Sequence, residues 1–193
     1  LSPGHCLLVE AGRVTERRYW QLPQLEEGAM RRDEPEIGAQ FEQLLQDSVR
    51  IRMRSDVPFG AFLSGGLDSS SVVSLMARHT GQPVETFTIG FAERAFDERE
   101  LARAVAQAFD TNHHEYLVEP DTFEDSLQAV LHHYDEPFGD SSAIPTGHVS
   151  RYARAHVKMV LTGDGGDEVL SGYTIYQGEK FAAHYQRLPR FIQ

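Results

Sequence analysis

Two short glycine-rich stretches bring hydroxyls, carboxylates and bare backbone together at spacings that can do chemistry. The first is Ser64-Gly65-Gly66-Leu67-Asp68-Ser69-Ser70, and the second is Leu161-Thr162-Gly163-Asp164-Gly165-Gly166-Asp167-Glu168. In the first, two glycines let the backbone approach a ligand with no side chain in the way. Ser64, Ser69 and Ser70 add hydroxyl donors. A helix opening after the glycines would aim unpaired N–H groups and the positive end of its dipole at the same place. Together these make a cradle for a chain of phosphates. It is not a Walker loop, because no Gly-Lys-Ser/Thr follows, and it is not a dinucleotide fingerprint, because G-x-G-x-x-G is absent. A bare Gly-Gly turn is ordinarily only a turn. Here the flanking serines, the internal aspartate and a strand before with a helix after favour a site.

The second stretch places Asp164, Asp167 and Glu168 within five residues. Their mutual repulsion is relieved by a cation, and Mg²⁺ prefers oxygen ligands and phosphates. Asp68 and Asp167 can share such an ion if the strands that carry the two loops are neighbours. The plain alternative is a solvated Asp-Gly-Gly turn. Beside the first loop, clustered charge at a strand end favours a site.

These loops need elements to hold them. Val57 to Leu63 is an apolar run, and residues 68–80 read as a helix with Gly81 placed to end it. Val84 to Ile89 is a strand, and Glu98 to Phe109 a helix with Leu101, Ala104, Val105 and Ala108 on one face. His114 to Val118 is a strand. A helix follows, capped by Asp121 with Glu124 three residues on. Residues 146–156 are helical, and Val157 to Leu161, apolar but for Lys158, reads as a strand of the buried parallel kind. Strand then helix, repeated, predicts a doubly wound α/β parallel sheet with flanking helices, both loops at carboxyl ends of strands. Upstream, residues 1–23 read as a short β segment with a turn at Ala11-Gly12, and a polar linker follows. Asp33 then caps a helix whose stripe of Ile37, Phe41, Leu44, Leu45 and Val49 reads as core packing.

Ser-Gly-Gly-Leu-Asp-Ser-Ser resembles the pyrophosphate loop of the ATP pyrophosphatase group. Its pairing with Leu-Thr-Gly-Asp-Gly-Gly-Asp-Glu about a hundred residues later is similar to the synthetase domain of glutamine-hydrolysing asparagine synthetase. Asp135-Glu136-Pro137, Asp140 to Thr146 and Leu170-Ser171-Gly172-Tyr173 resemble the same family, and Ser2 to Trp20 resembles the end of its glutaminase domain. The resemblance implies an adenine-nucleotide α-hydrolase-like fold. Residues 1–23 would be the tail of a glutaminase domain, 24–35 a linker, and 36–193 the first part of an ATP-binding synthetase domain. It implies ATP and Mg²⁺, with Leu63 and Ile89 flanking the adenine and Ser64 to Ser70 holding the pyrophosphate. Asp68 and Asp167 would lie at the metal, and Thr162 and Gly163 at the nucleotide. Asp164 stands where many members carry glutamate, so its catalytic role is open, as are the contacts to the amino acid. The implied reaction adenylates the aspartate side chain and amidates it with glutamine-derived ammonia, in the cytoplasm. The resemblance also allows a homodimer of the full-length enzyme. A related amide-forming synthetase of the β-lactam synthetase kind and a nucleotide-binding module without catalysis are the alternatives. The expected truncation at Gln193, with Cys6 internal, would leave the chain alone inactive.

Composition narrows the classes further. Eighteen Lys and Arg against 29 Asp and Glu give a net charge of −11, which argues against a nucleic-acid binder. No stretch approaches the roughly 20 apolar residues of a membrane span. The single Cys6 excludes an internal disulfide, fits a reducing compartment and reads as a small buried residue, not a nucleophile. His113-His114 and His132-His133 lack metal-ligand spacing and read as structural, although His114 stands close enough in sequence to a strand to lie near a nucleotide.

Overall fold

The computed structural model describes residues 1–23, 33–94, 97–118, 123–134 and 139–186, in two units, Leu1–Gln43 and Leu44–Gln193. In the first unit, β1 (His5–Glu10) pairs antiparallel with β2 (Arg13–Arg18) from His5↔Arg18 to Glu10↔Arg13. Ala11 and Gly12 carry the turn with φ of 49° and 76°, the left-handed pair a two-residue hairpin requires. Among the described residues of its unit no second layer covers the hairpin, and side chains on both faces are exposed. Cys6 is among them, which corrects the expectation of a buried thiol.

α1 (Glu34–Arg52) begins after Asp33, whose carbonyl accepts from Ile37 N–H, and the unit boundary falls within it. Its apolar stripe is core only at the far end. Val49 is 3% exposed and Leu45 packs beside it, whereas Ile37, Phe41 and Leu44 are exposed. Periodicity shows which face is apolar, not how far along the helix the core reaches.

The second unit is a four-stranded parallel sheet in the order β5-β4-β3-β6. The strands are β3 (Phe59–Phe62), β4 (Glu85–Gly90), β5 (Asn112–Leu117) and β6 (Met159–Leu161). The chain winds outward from β3 to β5 and then returns to the other side of β3, so the winding reverses between β3 and β6. In open α/β sheets ligands bind outside the carboxyl ends at such a point. Alternation along the strands feeds two cores. Ala61, Leu63 and Leu161 pack with α2 (Leu67–His79) and α3 (Arg99–Ala108) through Val73, Met76, Ala102 and Ala106. Phe62, Phe87, Ile89 and Val160 pack on the opposite face with Val149 and Ala153 of α5 (Ala143–Ala153). α4 (Phe123–His133) lies against α5. Two further helices, α6 (Gly166–Leu170) and α7 (Ile175–Gln186), follow β6. No helix among the described residues is long and apolar enough to cross a membrane.

Details of α3 and α2 differ from the sequence expectation. α3 buries Ala102 and Ala106, not Leu101, which is 61% exposed. Small residues let the helix approach the sheet closely, and the larger apolar residues misdirected the choice of face. α2 ends at an extended Thr80, whose hydroxyl accepts from Gln82 N–H at 3.2 Å, and Gly81 has no left-handed φ. The helix before α5 begins at Phe123, and its expected cap Asp121 lies outside the described residues.

Side-chain hydrogen bonds satisfy several of the buried polar groups on β4 and between the helices, as desolvation demands. The Thr86 hydroxyl bonds Thr111 Oγ1 at 2.8 Å and His113 Nδ1 at 3.0 Å. The Ser126 hydroxyl and His148 Nε2 bond at 2.7 Å between α4 and α5. Burial first, then Arg151, pushes His148 below the usual histidine range. The unfolded chain therefore takes up the proton at higher pH than the folded one, so this contribution to stability is intact above about pH 6.5 and is lost progressively as pH falls below it toward the lower folded-state value. A urea midpoint lower at pH 5.5 than at pH 7.5 is expected, with a smaller drop in His148→Gln. An equal drop in the variant would assign the acid sensitivity to other groups.

Candidate active site

The carboxyl end of β3 leads directly into the first loop. Leu63 N–H bonds Phe87 O at 2.9 Å, and the Thr88 hydroxyl donates to Leu63 O, so β4 fixes the point where the loop departs. Gly65 then turns with φ +82°. A Cβ there would stand 2.5 Å from Leu101 Cβ and 2.6 Å from Ala102 N, so the turn rests on the first turn of α3. Two serines brace the loop from within. Ser69 Oγ donates to Gly66 O at 3.3 Å, accepts from Ser64 N–H at 3.3 Å and lies 2.9 Å from Ser64 Oγ. Since the single Ser69 proton is engaged, Ser64 Oγ donates to Ser69 and accepts from Gly66 N–H at 3.2 Å. α2 then starts at Leu67 with no side-chain cap. The first N–H groups of a helix have no intrahelical acceptor, so those of Leu67, Asp68 and Ser69 remain available to an anion. The Ser70 hydroxyl is buried without a partner among the described residues. These donors and the exposed glycine backbone fit a polyphosphate.

The second loop leaves β6 beside the first, because Phe59 to Ala61 pair with Met159 to Leu161. A Cβ at Gly163 would lie 2.7 Å from Ser69 N and 3.0 Å from both the Asp68 carbonyl carbon and Cβ. A Cβ at Gly166 would lie 2.5 Å from Asp68 Cγ. Asp68 therefore lies over the backbone of the second loop at Gly166. Asp167 in turn is held near Gly172, whose N–H bonds Asp167 O at 3.0 Å. Asp164 is exposed and accepts from the Thr162 hydroxyl at 2.9 Å. No cluster of three or more metal-type ligands exists among the described residues. Mg²⁺ does not require one, since it is commonly held by one or two carboxylates with phosphate oxygens and water completing the shell. Asp68 and Asp167, both half-buried, fit that pattern.

The structure thus brings together Ser64, Gly65, Gly66, Asp68, Ser69 and Ser70 with Thr162, Gly163 and the chain up to Asp167. It does not bring the Leu63 and Ile89 side chains together. Leu63 is 1% exposed in the core that faces α2, and Ile89 packs in the core on the other face. Neighbouring backbones at the ends of β3 and β4 are what these two residues share. His114 pairs with Phe87 three residues before the end of β5 and bonds Glu85 at 2.6 Å, so it faces away from the loops along the strand. Sequence reasoning missed Thr88, whose signal was a threonine inside an apolar strand, and the Tyr173–Glu168 bond of 2.8 Å. That bond, with lesser help from burial, pushes the Tyr173 phenol up to about 12.

Comparison with known proteins finds relatives over most of the chain. A chain from Methanocaldococcus jannaschii is 44% identical over 176 residues, covering 91% of this chain and 33% of that one. The glutamine-hydrolyzing asparagine synthetase 1 of Bacillus subtilis is 35% identical, with 81% of this chain and 25% of its own covered. For the glutamine-hydrolyzing asparagine synthetase of Zea mays the figures are 33%, 90% and 31%. This chain therefore spans a third or less of the length of these curated relatives. The pattern of the family described as asparagine synthase matches residues 40–192, which include both loops and every strand of the parallel sheet. With that match over most of its length, the chain belongs to the asparagine synthase family.

Proposed function

We propose that this chain is the nucleotide-binding part of a glutamine-hydrolysing asparagine synthetase. The observation that carries the reading is the docking of two glycine-rich loops at the β3–β6 reversal, with Asp68 over Gly166. ATP would lie with its phosphates against Ser64, Gly65, Gly66, Ser69 and Ser70. Its nucleoside would lie along Thr162 and Gly163 and over the strand ends at Leu63 and Ile89, Leu63 forming floor rather than wall. Mg²⁺ held by Asp68 and Asp167 would neutralise charge on the departing pyrophosphate. The side-chain carboxylate of aspartate attacks the α-phosphorus, and the α–β bridging bond breaks. Helix N–H groups aimed at the leaving pyrophosphate stabilise its charge. Ammonia, supplied from glutamine, then attacks the acyl carbon of the β-aspartyl adenylate, AMP departs with the former carboxylate oxygen, and a proton is lost to solvent. Asp164, tied to Thr162, stands at the edge of the second loop, where the amino acid would enter. The acidic chain and its phosphate-scale site point to small-molecule substrates rather than nucleic acid.

The test is product analysis of the intact protein with ATP, Mg²⁺, aspartate and ammonium. Asparagine, AMP and pyrophosphate in equal amounts are expected. Release of ADP and phosphate would overturn the reading. AMP formed only with another carboxylate would keep the site and change the substrate.

A further inference from the structure

The first loop is only as well placed as the surface Gly65 rests on, and that surface is the first turn of α3. Glu98 at the start of α3 gives no side-chain cap. Asp97 takes that part from one residue earlier. Its Oδ1 accepts from Arg99 N–H at 3.3 Å and from Arg99 Nε at 2.8 Å, and its Oδ2 accepts from Arg99 Nη2 at 2.8 Å. The two-point pair lies directly on Gly90, the last residue of β4, where a Cβ would collide with Arg99 Nε and come 2.7 Å from Asp97 Oδ1. At 27% and 21% exposure the side chains are partly withdrawn from water. A second two-point pair, Arg103 to Glu115 at 3.0 and 2.8 Å, ties the same helix to β5. Asp97–Arg99 is the tie at the end of α3 that meets the loop. Forked arginine–carboxylate pairs fix orientation as well as distance. With Nε and Nη2 both engaged by Asp97, the guanidinium is turned to its partner and not toward a phosphate.

We propose that the Asp97–Arg99 pair is a positioning element for the phosphate loop: it locks the first turn of α3 onto Gly90, so that Gly65 has a fixed seat, and it sets nucleotide affinity without touching the nucleotide. This rests on the reading of the loop as an ATP site. A loose seat lets the loop sample other positions, which lowers the fraction of molecules ready to bind and raises KM, while the reaction of bound ATP proceeds as before.

The experiment compares Asp97→Ala, Arg99→Ala, the double variant and Arg99→Lys in the intact protein, reading KM for ATP and kcat for pyrophosphate release, with equilibrium ATP binding alongside. The two single alanine variants are expected to raise KM alike, by about tenfold, with kcat within about twofold of wild type. The double variant is expected to be no worse than either single, because the two residues act as one unit. Arg99→Lys keeps the charge but cannot form the two-point fork, so it is expected to recover only part of the affinity. An unchanged KM in both single variants would overturn the proposal. So would an Arg99→Ala defect far exceeding that of Asp97→Ala with additive effects, which is the signature of direct ligand contact. If Arg99→Ala does not fold, the near-isosteric Asp97→Asn carries the same test. A wild-type protein that neither binds ATP nor forms AMP would defeat the parent reading. Wild-type turnover with indifferent variants would defeat this inference alone.

Discussion

Asp68→Ala, and separately Asp167→Ala, is expected to lower pyrophosphate release by the intact protein by at least about a hundredfold, the scale of losing one preorganised charge-stabilising group. Both carboxylates are half-buried polar groups outside the two apolar cores, so truncation leaves no core cavity. Asp68 also sits in the first turn of α2, where its charge favours the helix dipole. That term limits the stability loss to about 1 kcal/mol. The signature is therefore a large loss of turnover with a nearly normal denaturation midpoint. Asp68→Asn and Asp167→Asn separate charge from shape. If Mg²⁺ is held by these two groups, the amides should be almost as impaired as the alanines, with partial recovery at high Mg²⁺. Variants that retain wild-type turnover at saturating Mg²⁺ would remove both residues from the mechanism.

Gly163→Ala is expected to abolish measurable ATP binding and to destabilise the fold by about 1–3 kcal/mol. The added methyl would meet Ser69 N at 2.7 Å and the Asp68 carbonyl carbon and Cβ at 3.0 Å. These atoms belong to the start of α2 or sit directly on its backbone, so no flexible side chain can swing aside. The two loops must part, and the donors and carboxylates they align part with them. Gly81→Ala is the matched control, since a methyl there meets nothing within 4 Å and its φ is not left-handed. The control should bind ATP normally. Equal ATP affinity in Gly163→Ala would mean that the two loops do not act as one site.

Both loops were legible in the sequence because their chemistry is local: bare backbone, hydroxyls and carboxylates within seven or eight residues. The α/β class was legible for a similar reason, since apolar runs alternate with helical periods. The strand order was not. That β6 returns beside β3, and so joins the loops, depends on a pairing across about a hundred residues that no local pattern encodes. Errors collected where size or burial depends on partners elsewhere in the chain. Leu101 outranks Ala102 in hydrophobicity, yet close approach of α3 to the sheet selects the alanine. Ile37 and Phe41 have core-like spacing but are exposed. Leu63 and Ile89 flank the same strand ends, and their different positions in the pleat send them to opposite faces. Asp97 and Arg99 passed unnoticed because a charged pair two residues apart reads as surface, until Gly90 beneath it is seen.

Adenylation of a carboxylate at the β3–β6 reversal is tested most directly with aspartate labelled with oxygen-18 in its side chain. The intact protein is supplied with ATP, Mg²⁺ and ammonium, and the nucleotide product is analysed by mass. Attack by the carboxylate on the α-phosphorus predicts one labelled oxygen in each AMP, with unlabelled pyrophosphate, and loss of that AMP signal in Asp68→Ala. Label appearing in inorganic phosphate, or AMP formed without label, would contradict it.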